Sequence, residues 1–372
     1  MRKDIACALA LFAGLAACQG CAPADDDGMQ LIQVWIDKPP TLAPIDSAQV
    51  LAYELHFTSD APTVPIIRRI EVLSDDSARS GLMVLSESAL TSVLKGVGDT
   101  TDFLNVRQGP RVVAYMWVQL ASTPLPKAIR HRVRIVDERG IEHDVDVEST
   151  PVRTEYASIA PPVRGSHWLA GNGPSNESAH RRYIFAHSGR IVLWERFAID
   201  FQLVDSIGRN MRTDGLRNAD HYSYDEPVFA VADGTVVEAR SDLPENTPNE
   251  PPVVAPDFDT VSGNYVTLDI GGGRYVHYAH LRPGTVTVNV GDSVRRGQEL
   301  GRIGNSGLSA GPHLHFHVSD SPGIYAGEGL PFIFEQYEVI GVCETDTTCT
   351  SRPAVLRRNA LPRDGQLLRF NG

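Results

Sequence analysis

The octapeptide Gly311-Pro312-His313-Leu314-His315-Phe316-His317-Val318 constrains this chain more than any other segment. Its polar and apolar residues alternate with the period of a β-strand, in which residues i, i+2 and i+4 share a face. On such a strand Leu314, Phe316 and Val318 line a core, and three imidazoles project together from the opposite side. Imidazoles gathered on a rigid strand form a nitrogen site for a metal ion; a solvent-facing histidine stripe is the alternative that spacing alone leaves open.

Runs of the same period recur along the chain and predict an all-β molecule. Between Leu31 and Pro151, segments such as Ala48 to Phe57, Val112 to Val118 and Arg132 to Val136 are separated by Pro, Gly and Asp turns, the pattern of a small β-sandwich. It reads as either a spacer or a binding module. A proline-marked boundary at Ala160-Pro161-Pro162 separates this accessory domain, residues 31–155, from a second domain, residues 160–372. There the expected strands are Arg196 to Val204, Pro227 to Ala239, Tyr265 to Ile270, Tyr275 to Ala279, Glu299 to Ile303 and His313 to Val318. The proline-rich stretch Leu243 to Pro256 is expected to be a surface loop.

A formal net charge of -12 and the absence of a basic stripe argue against nucleic acid as a partner. The N-terminus begins with the basic Met1-Arg2-Lys3 and continues with an apolar run from Ile5 to Ala17 that is too short to span a bilayer, which is the form of an export signal. Leu15-Ala16-Ala17-Cys18 resembles the bacterial lipoprotein cleavage box. That resemblance implies a signal peptide over residues 1–17, lipidation of Cys18 and an acidic tether over residues 18–30; a plain signal peptide is the alternative. With Gln19 and Gly20 after Cys18, the aspartate that marks inner-membrane retention is missing, so an outer-membrane anchor facing the periplasm is expected. In an oxidising compartment Cys343 and Cys349, six residues apart, are expected to form a disulfide. Cys21 has no evident partner.

Several segments in order carry a family resemblance: Pro227 to Val236, Gly263-Asn264-Tyr265-Val266, Tyr278-Ala279-His280-Leu281, Val290 to Gln298, Gly304-Asn305-Ser306-Gly307 and His313-Leu314-His315. Together they resemble the M23 (LytM/lysostaphin-type) zinc metallopeptidases. The resemblance implies a mostly antiparallel β-sheet peptidase domain and one Zn2+ per chain, held by a His, an Asp and the second His of the His-x-His strand, here His315. A fourth position is left for water, which the ion acidifies while it polarises a scissile carbonyl. His280 and His313 match the two catalytic histidines of the family, which handle protons and stabilise the oxyanion.

The first His and the Asp have two candidate pairs. His221 and Asp225 fit the compact His-x-x-x-Asp spacing, but Glu226-Pro227-Val228 comes at once, without the usual intervening turn. The other pair is His180, in Gly171 to Arg182, and Asp200, a lone acid centred in the apolar run Arg196 to Val204. A buried carboxylate there requires a cation or a metal. His180 and Asp200 are the favoured pair, with His221 and Asp225 as the alternative metal ligands; an ion pair of Asp200 with Arg196 or Arg209 is the non-metal reading.

The resemblance implies a zinc endopeptidase that hydrolyses peptide cross-links between peptidoglycan stem peptides, with the membrane reached through the lipid anchor. The rival is a non-catalytic cell-wall scaffold that activates a separate amidase.

Overall fold

The computed structural model describes residues 32–58, 66–75, 81–97, 111–120, 124–137, 139–187, 190–323, 326–345 and 348–371. The expected signal peptide, the tether, Cys18 and Cys21 lie outside the described residues. Within them strands dominate, and the helical segments span seven, four and three residues. The fold is all-β with almost entirely antiparallel sheets.

The alternating runs up to Pro151 build two facing sheets. One contains Gln33–Trp35, Thr41–Ile45, Ala48–Thr58, Leu94–Val97 and Arg111–Leu120; the other contains Ile66–Ser74, Gly81–Leu85, Ala128–Val136 and Glu142–Pro151. The central strand Ala48–Thr58 is buried on both faces. Leu51, Tyr53, Leu55 and Phe57 point into the sandwich core. Val50 and Ala52, with Ala43 and Ile45 of the neighbouring strand, instead join the core of the second sheet. One strand thus serves two cores, so the sandwich does not hang from the rest of the chain by a linker alone.

From Ala157 onward the chain forms an eleven-stranded sheet. At its centre Gly165–Gly171, Ile199–Leu203, Leu314–Ser319, Tyr275–Leu281 and Asn264–Asp269 lie side by side, all antiparallel. Beneath this centre Phe201, Phe316, Phe332, Phe334 and Phe370 pack ring against ring, with centroids 5.3–6.3 Å apart. Each fully buried phenyl ring contributes roughly 1.5–3 kcal/mol, which makes this face a stiff base for whatever the other face carries.

Three expected strands come out differently. The run Pro227 to Ala239 is split, because the turn at Asp233-Gly234 sends Pro227–Phe229 to pair with Glu299–Arg302 and Gly234–Arg240 to the large sheet. The strand expected from Arg196 starts only at Ile199: Leu193 to Ala198 is a turn closed by Arg196 N–H to Leu193 O (3.3 Å) and Ala198 N–H to Glu195 O (2.9 Å). His313 precedes its strand, which begins at Leu314. The long hairpin Phe332–Thr345 and Thr348–Ala360 has no counterpart among the expected strands; the Cys343–Cys349 disulfide links its two strands.

Candidate metal centre

Strand register brings the key residues together. Asp200 is the direct partner of His315 across one antiparallel pair, and Ala279 is the partner of His315 across the next. The pleat sends Leu314, Phe316 and Val318, with Ile199 and Phe201 beside them, into the core. Asp200 and His315 therefore share the opposite face. His180 reaches the same point from the one-turn helix Ala179–Arg182. Possible ligand atoms of His180, Asp200 and His315 lie within 4.8 Å of one another, and among the described residues no other three His, Cys, Asp or Glu side chains do so.

Hydrogen bonding fixes which nitrogen of each ring faces the site. A carbonyl oxygen can only accept, so Nδ1–H of His180 donates to Asn172 O (2.9 Å), that of His280 to Ser306 O (2.8 Å) and that of His313 to Gly311 O (2.8 Å). Each Nε2 is then the basic nitrogen. His180 Nε2 lies 3.4 Å from Asp200 Oδ2 and His313 Nε2 lies 3.5 Å from Asp200 Oδ1. His315 is turned the other way, with Nε2 3.0 Å from His317 Nδ1 and 3.5 Å from Glu195 Oε1, and Nδ1 3.1 Å from Asp200 Oδ1. The His180 Nε2 lone pair thus confronts a carboxylate, a conflict resolved by a proton on that ring or by a cation between them; His315 Nδ1 faces the same carboxylate, as a donor when it carries the ring proton and as a ligand atom when it does not. Tetrahedral Zn2+ with ligand bonds of about 2.0–2.1 Å holds its ligand atoms roughly 3.3 Å apart. The 3.4 and 3.1 Å separations fit that requirement.

The local field also calls for positive charge. Burial opposes ionisation of Asp200, yet His180, His313 and the contact with His315 outweigh it and hold the carboxyl well below the usual carboxylate range. For His315 burial works against protonation, but Asp200 and Glu195 reverse the balance and push it up. His280 goes the other way: burial first, then the nearby His313 and His315 rings, keep it well below the ordinary histidine range and hence neutral. Burial also raises the Glu195 carboxyl.

The glycine and asparagine segments noted in the sequence build the perch for His280. Its backbone is left-handed (φ 63°), a conformation that costs a non-glycine residue about 1–3 kcal/mol and must be imposed by its surroundings. Ser262 O accepts its N–H (2.9 Å), and its own carbonyl accepts Gly304 N–H (3.1 Å). Gly263 and Gly307 approach so closely that a Cβ on Gly307 would collide with Gly263 backbone. That contact brings Ser306 Oγ to Asn264 N–H (2.9 Å) and leaves Ser306 O to accept from His280. The His280 and His313 ring centroids are then 4.8 Å apart.

His221 and Asp225 are not drawn into this cluster. His221 Nε2–H donates to Gly215 O (3.2 Å), and Asp225 is paired with Arg282 (2.7 Å). His221 instead lines a cleft of about 470 Å³ whose floor holds His180, Asp200, His280, His313 and His315. His317 is fully buried beneath His315, with His277 stacked on it at 4.4 Å. His277 itself is bonded to Thr267 and Ser319. Arg196 does not pair with Asp200; it binds Glu54 and Glu328, both at 2.6 Å.

Three residues not singled out in the sequence matter here. Asn172 donates to Asp200 Oδ2 (3.0 Å) while its carbonyl orients His180. Glu195 faces His315. Glu54, far away in sequence, holds the arginines that flank the site. A polar residue beside a sheet terminus signals none of these roles, but a lone acid inside the apolar run Val50 to Phe57 is a readable sign for Glu54.

Residues 220–323 match the model of Peptidase family M23. That stretch includes His280, His313 and His315, together with His221 and Asp225, and leaves His180 and Asp200 outside. Peptidoglycan DD-endopeptidase ShyA of Vibrio cholerae serotype O1 is 35% identical over 92 residues, which are 25% of this chain and 17% of that protein. Glycyl-glycine endopeptidase ALE-1 of Staphylococcus capitis is 33% identical over 109 residues, 27% of this chain and 25% of that protein. The chain therefore spans a quarter or less of these curated relatives. The solved catalytic domain of the antimicrobial peptidase lysostaphin from Staphylococcus simulans is 23% identical, covering 44% of this chain and 88% of that chain at a TM-score of 0.24.

Proposed function

We propose that this chain is an exported zinc endopeptidase that hydrolyses peptide cross-links of peptidoglycan, with His180, Asp200 and His315 as ligands of one Zn2+ and His280 and His313 as its proton-handling residues. The observation that carries the reading is that one nitrogen each of His180 and His315 stands at ligand spacing from one buried carboxylate, within an open cleft. When bound, the ion supplies Lewis acidity toward a water molecule and the scissile carbonyl.

The chain's own groups account for the rest of the chemistry. His280 and His313 both spend Nδ1–H on backbone carbonyls, so Nε2 is the atom on each that takes a proton from the attacking water and returns it to the leaving amine. Burial keeps His280 neutral and able to accept. Protonated, either ring can donate to the developing oxyanion. Asn172 and His317 hold the ligand residues in orientation.

The substrate class is supported by the similarity to ShyA and ALE-1, whose names specify peptidoglycan DD- and glycyl-glycine endopeptidases. Of these two bonds we propose the D-alanyl-diaminopimelate cross-link. We further propose residues 160–372 as the peptidase unit and 31–155 as the accessory sandwich, with the lipid anchor at Cys18 on the outer membrane. Digestion of purified sacculi tests the activity: cross-linked muropeptides should convert to monomers with the purified chain and not with His315→Ala. Zinc binding without conversion, accompanied by stimulation of an added amidase, would favour the scaffold instead.

A further inference from the structure

We propose that the N-terminal sandwich is part of the metal centre: Glu54, through Arg181 and Arg196, is a positioning residue that holds the His180 helix in ligating position. The inference rests on the reading of His180 as a ligand.

Residues 173–187 and 190–198, between Asn172 and Asp200, leave the large sheet, and several of them meet the sandwich. Their helix has only four residues, too few to stand without tertiary support. Support from its own side includes bonds to Asn172 O from Ser178 Oγ (2.6 Å) and His180 Nδ1 (2.9 Å), and bonds from Arg182 to Asn176 O (2.6 Å) and to Glu177 Oε1 (3.1 Å). On the other side the contacts come from the sandwich. Arg181, next to the ligand, is fully buried; its guanidinium binds the Glu54 carboxylate and donates to Tyr53 O (2.9 Å) and Met116 O (3.4 Å). Arg182 donates to Ser92 O (2.8 Å), Tyr115 Oη donates to Arg182 O (3.1 Å), and Asn176 donates to Tyr115 O (3.2 Å). Ile191 and Leu193 pack with Val113 and Tyr115 of the sandwich.

Glu54 touches both ends of this segment. One of its oxygens meets Arg181, beside His180, and the carboxylate also grips Arg196, beside Glu195 and four residues before Asp200. Arg196 is completed by Glu328 and by Gly329 O (3.1 Å). The buried array of two guanidiniums and two carboxylates is balanced, so removing Glu54 leaves excess buried positive charge next to the ligand helix. Glu54 can reach both arginines because its strand has a second buried face, the one that Val50 and Ala52 place in the core of the large sheet. A spacer domain has no need of such a strand.

The test is zinc affinity of the full chain, by competition with a chromophoric chelator, alongside the visible spectrum of the cobalt(II) form and circular dichroism. Glu54→Gln should weaken zinc binding at least tenfold and alter the cobalt spectrum while the strand signal persists; Arg134→Ala, which breaks an exposed ion pair on the far sheet of the sandwich, should change neither. If Glu54→Gln does not fold, Tyr115→Phe decides the matter, since it removes the bond from the sandwich to Arg182 O without touching the buried charges or the bonds of Arg182 to Asn176 and Glu177, and it should weaken zinc at least threefold. Folded variants with unaltered affinity and spectrum overturn the proposal. His180→Ala distinguishes a failed clamp from a failed ligand: unaltered zinc in that variant overturns the ligand reading and the clamp with it, whereas zinc lost in His180→Ala but unaltered in Glu54→Gln overturns the clamp alone.

Discussion

Asp200 and His315 face each other at 3.1 Å because they are direct partners across adjacent antiparallel strands, so their separation is set by the ladder and not by flexible loops. Hydrogen bonds along the ladder and the phenyl layer beneath it keep the pair in place, and only the third member, His180, arrives from outside the sheet. The consequences can be measured one at a time.

His317 should matter to metal binding although it reaches no ligand position. Its Nδ1 is 3.0 Å from His315 Nε2, and when His315 carries its proton on Nε2 this contact accepts it and leaves His315 Nδ1 free for the site. Loss of such an orienting partner typically costs about 10–100-fold in metal affinity. His317→Phe, which keeps an aromatic ring against His277 and removes the nitrogen, should show a loss in that range in a chelator competition. An unchanged affinity would mean that Glu195 alone orients the ring.

Removing the metal should lower thermal stability. An ion bound only by the native state contributes about 4 kcal/mol at a thousandfold excess over its dissociation constant, and in a chain of this size that corresponds to a Tm change of about 5 °C. Differential scanning calorimetry with and without a chelator reads this directly. His315→Ala should show no chelator effect.

Acid should destabilise the sandwich through His131. This ring is buried against Tyr53 Oη at 2.6 Å, and burial lowers its pKa to about 3. The folded value lies below the unfolded one, so the native state is penalised as pH falls below about 6.5 and the penalty grows until the folded group titrates near 3. At pH 5 the loss is roughly 2 kcal/mol. Urea titrations at pH 7 and pH 5 should show at least that loss, since burial also lowers His56 of the same sandwich to about 4, and His131→Phe should shrink the difference by the His131 share even if it costs stability at both values.

Much of the fold was legible because period-2 alternation is a direct image of a half-buried strand. Leu314, Phe316 and Val318 point one way and His315 and His317 the other for that reason alone. Asp200 was legible too, since a solitary carboxylate in an apolar strand has to be compensated. The same reasoning applied to Glu54 would have pointed to its buried partners, but the partners themselves, Arg181 and Arg196, lie more than a hundred residues away and no local pattern connects them. Asn172 and Glu195 were hidden differently. Their roles come from where a turn ends, and side-chain periodicity carries no information about that. The hairpin Phe332–Thr345 with Thr348–Ala360 escapes sequence reading because much of Thr348–Ala360 is exposed, which removes the alternation that marks a strand.

The most direct test of the central claim is zinc stoichiometry together with sacculus digestion for His180→Ala and Asp200→Ala beside His221→Ala and Asp225→Ala, all in the full chain. The account predicts that the first two lose both the metal and the cleavage, while the second two keep one zinc per chain. Retention of zinc by the first pair and its loss from the second would contradict it, and would place the metal on the compact His221 and Asp225 motif.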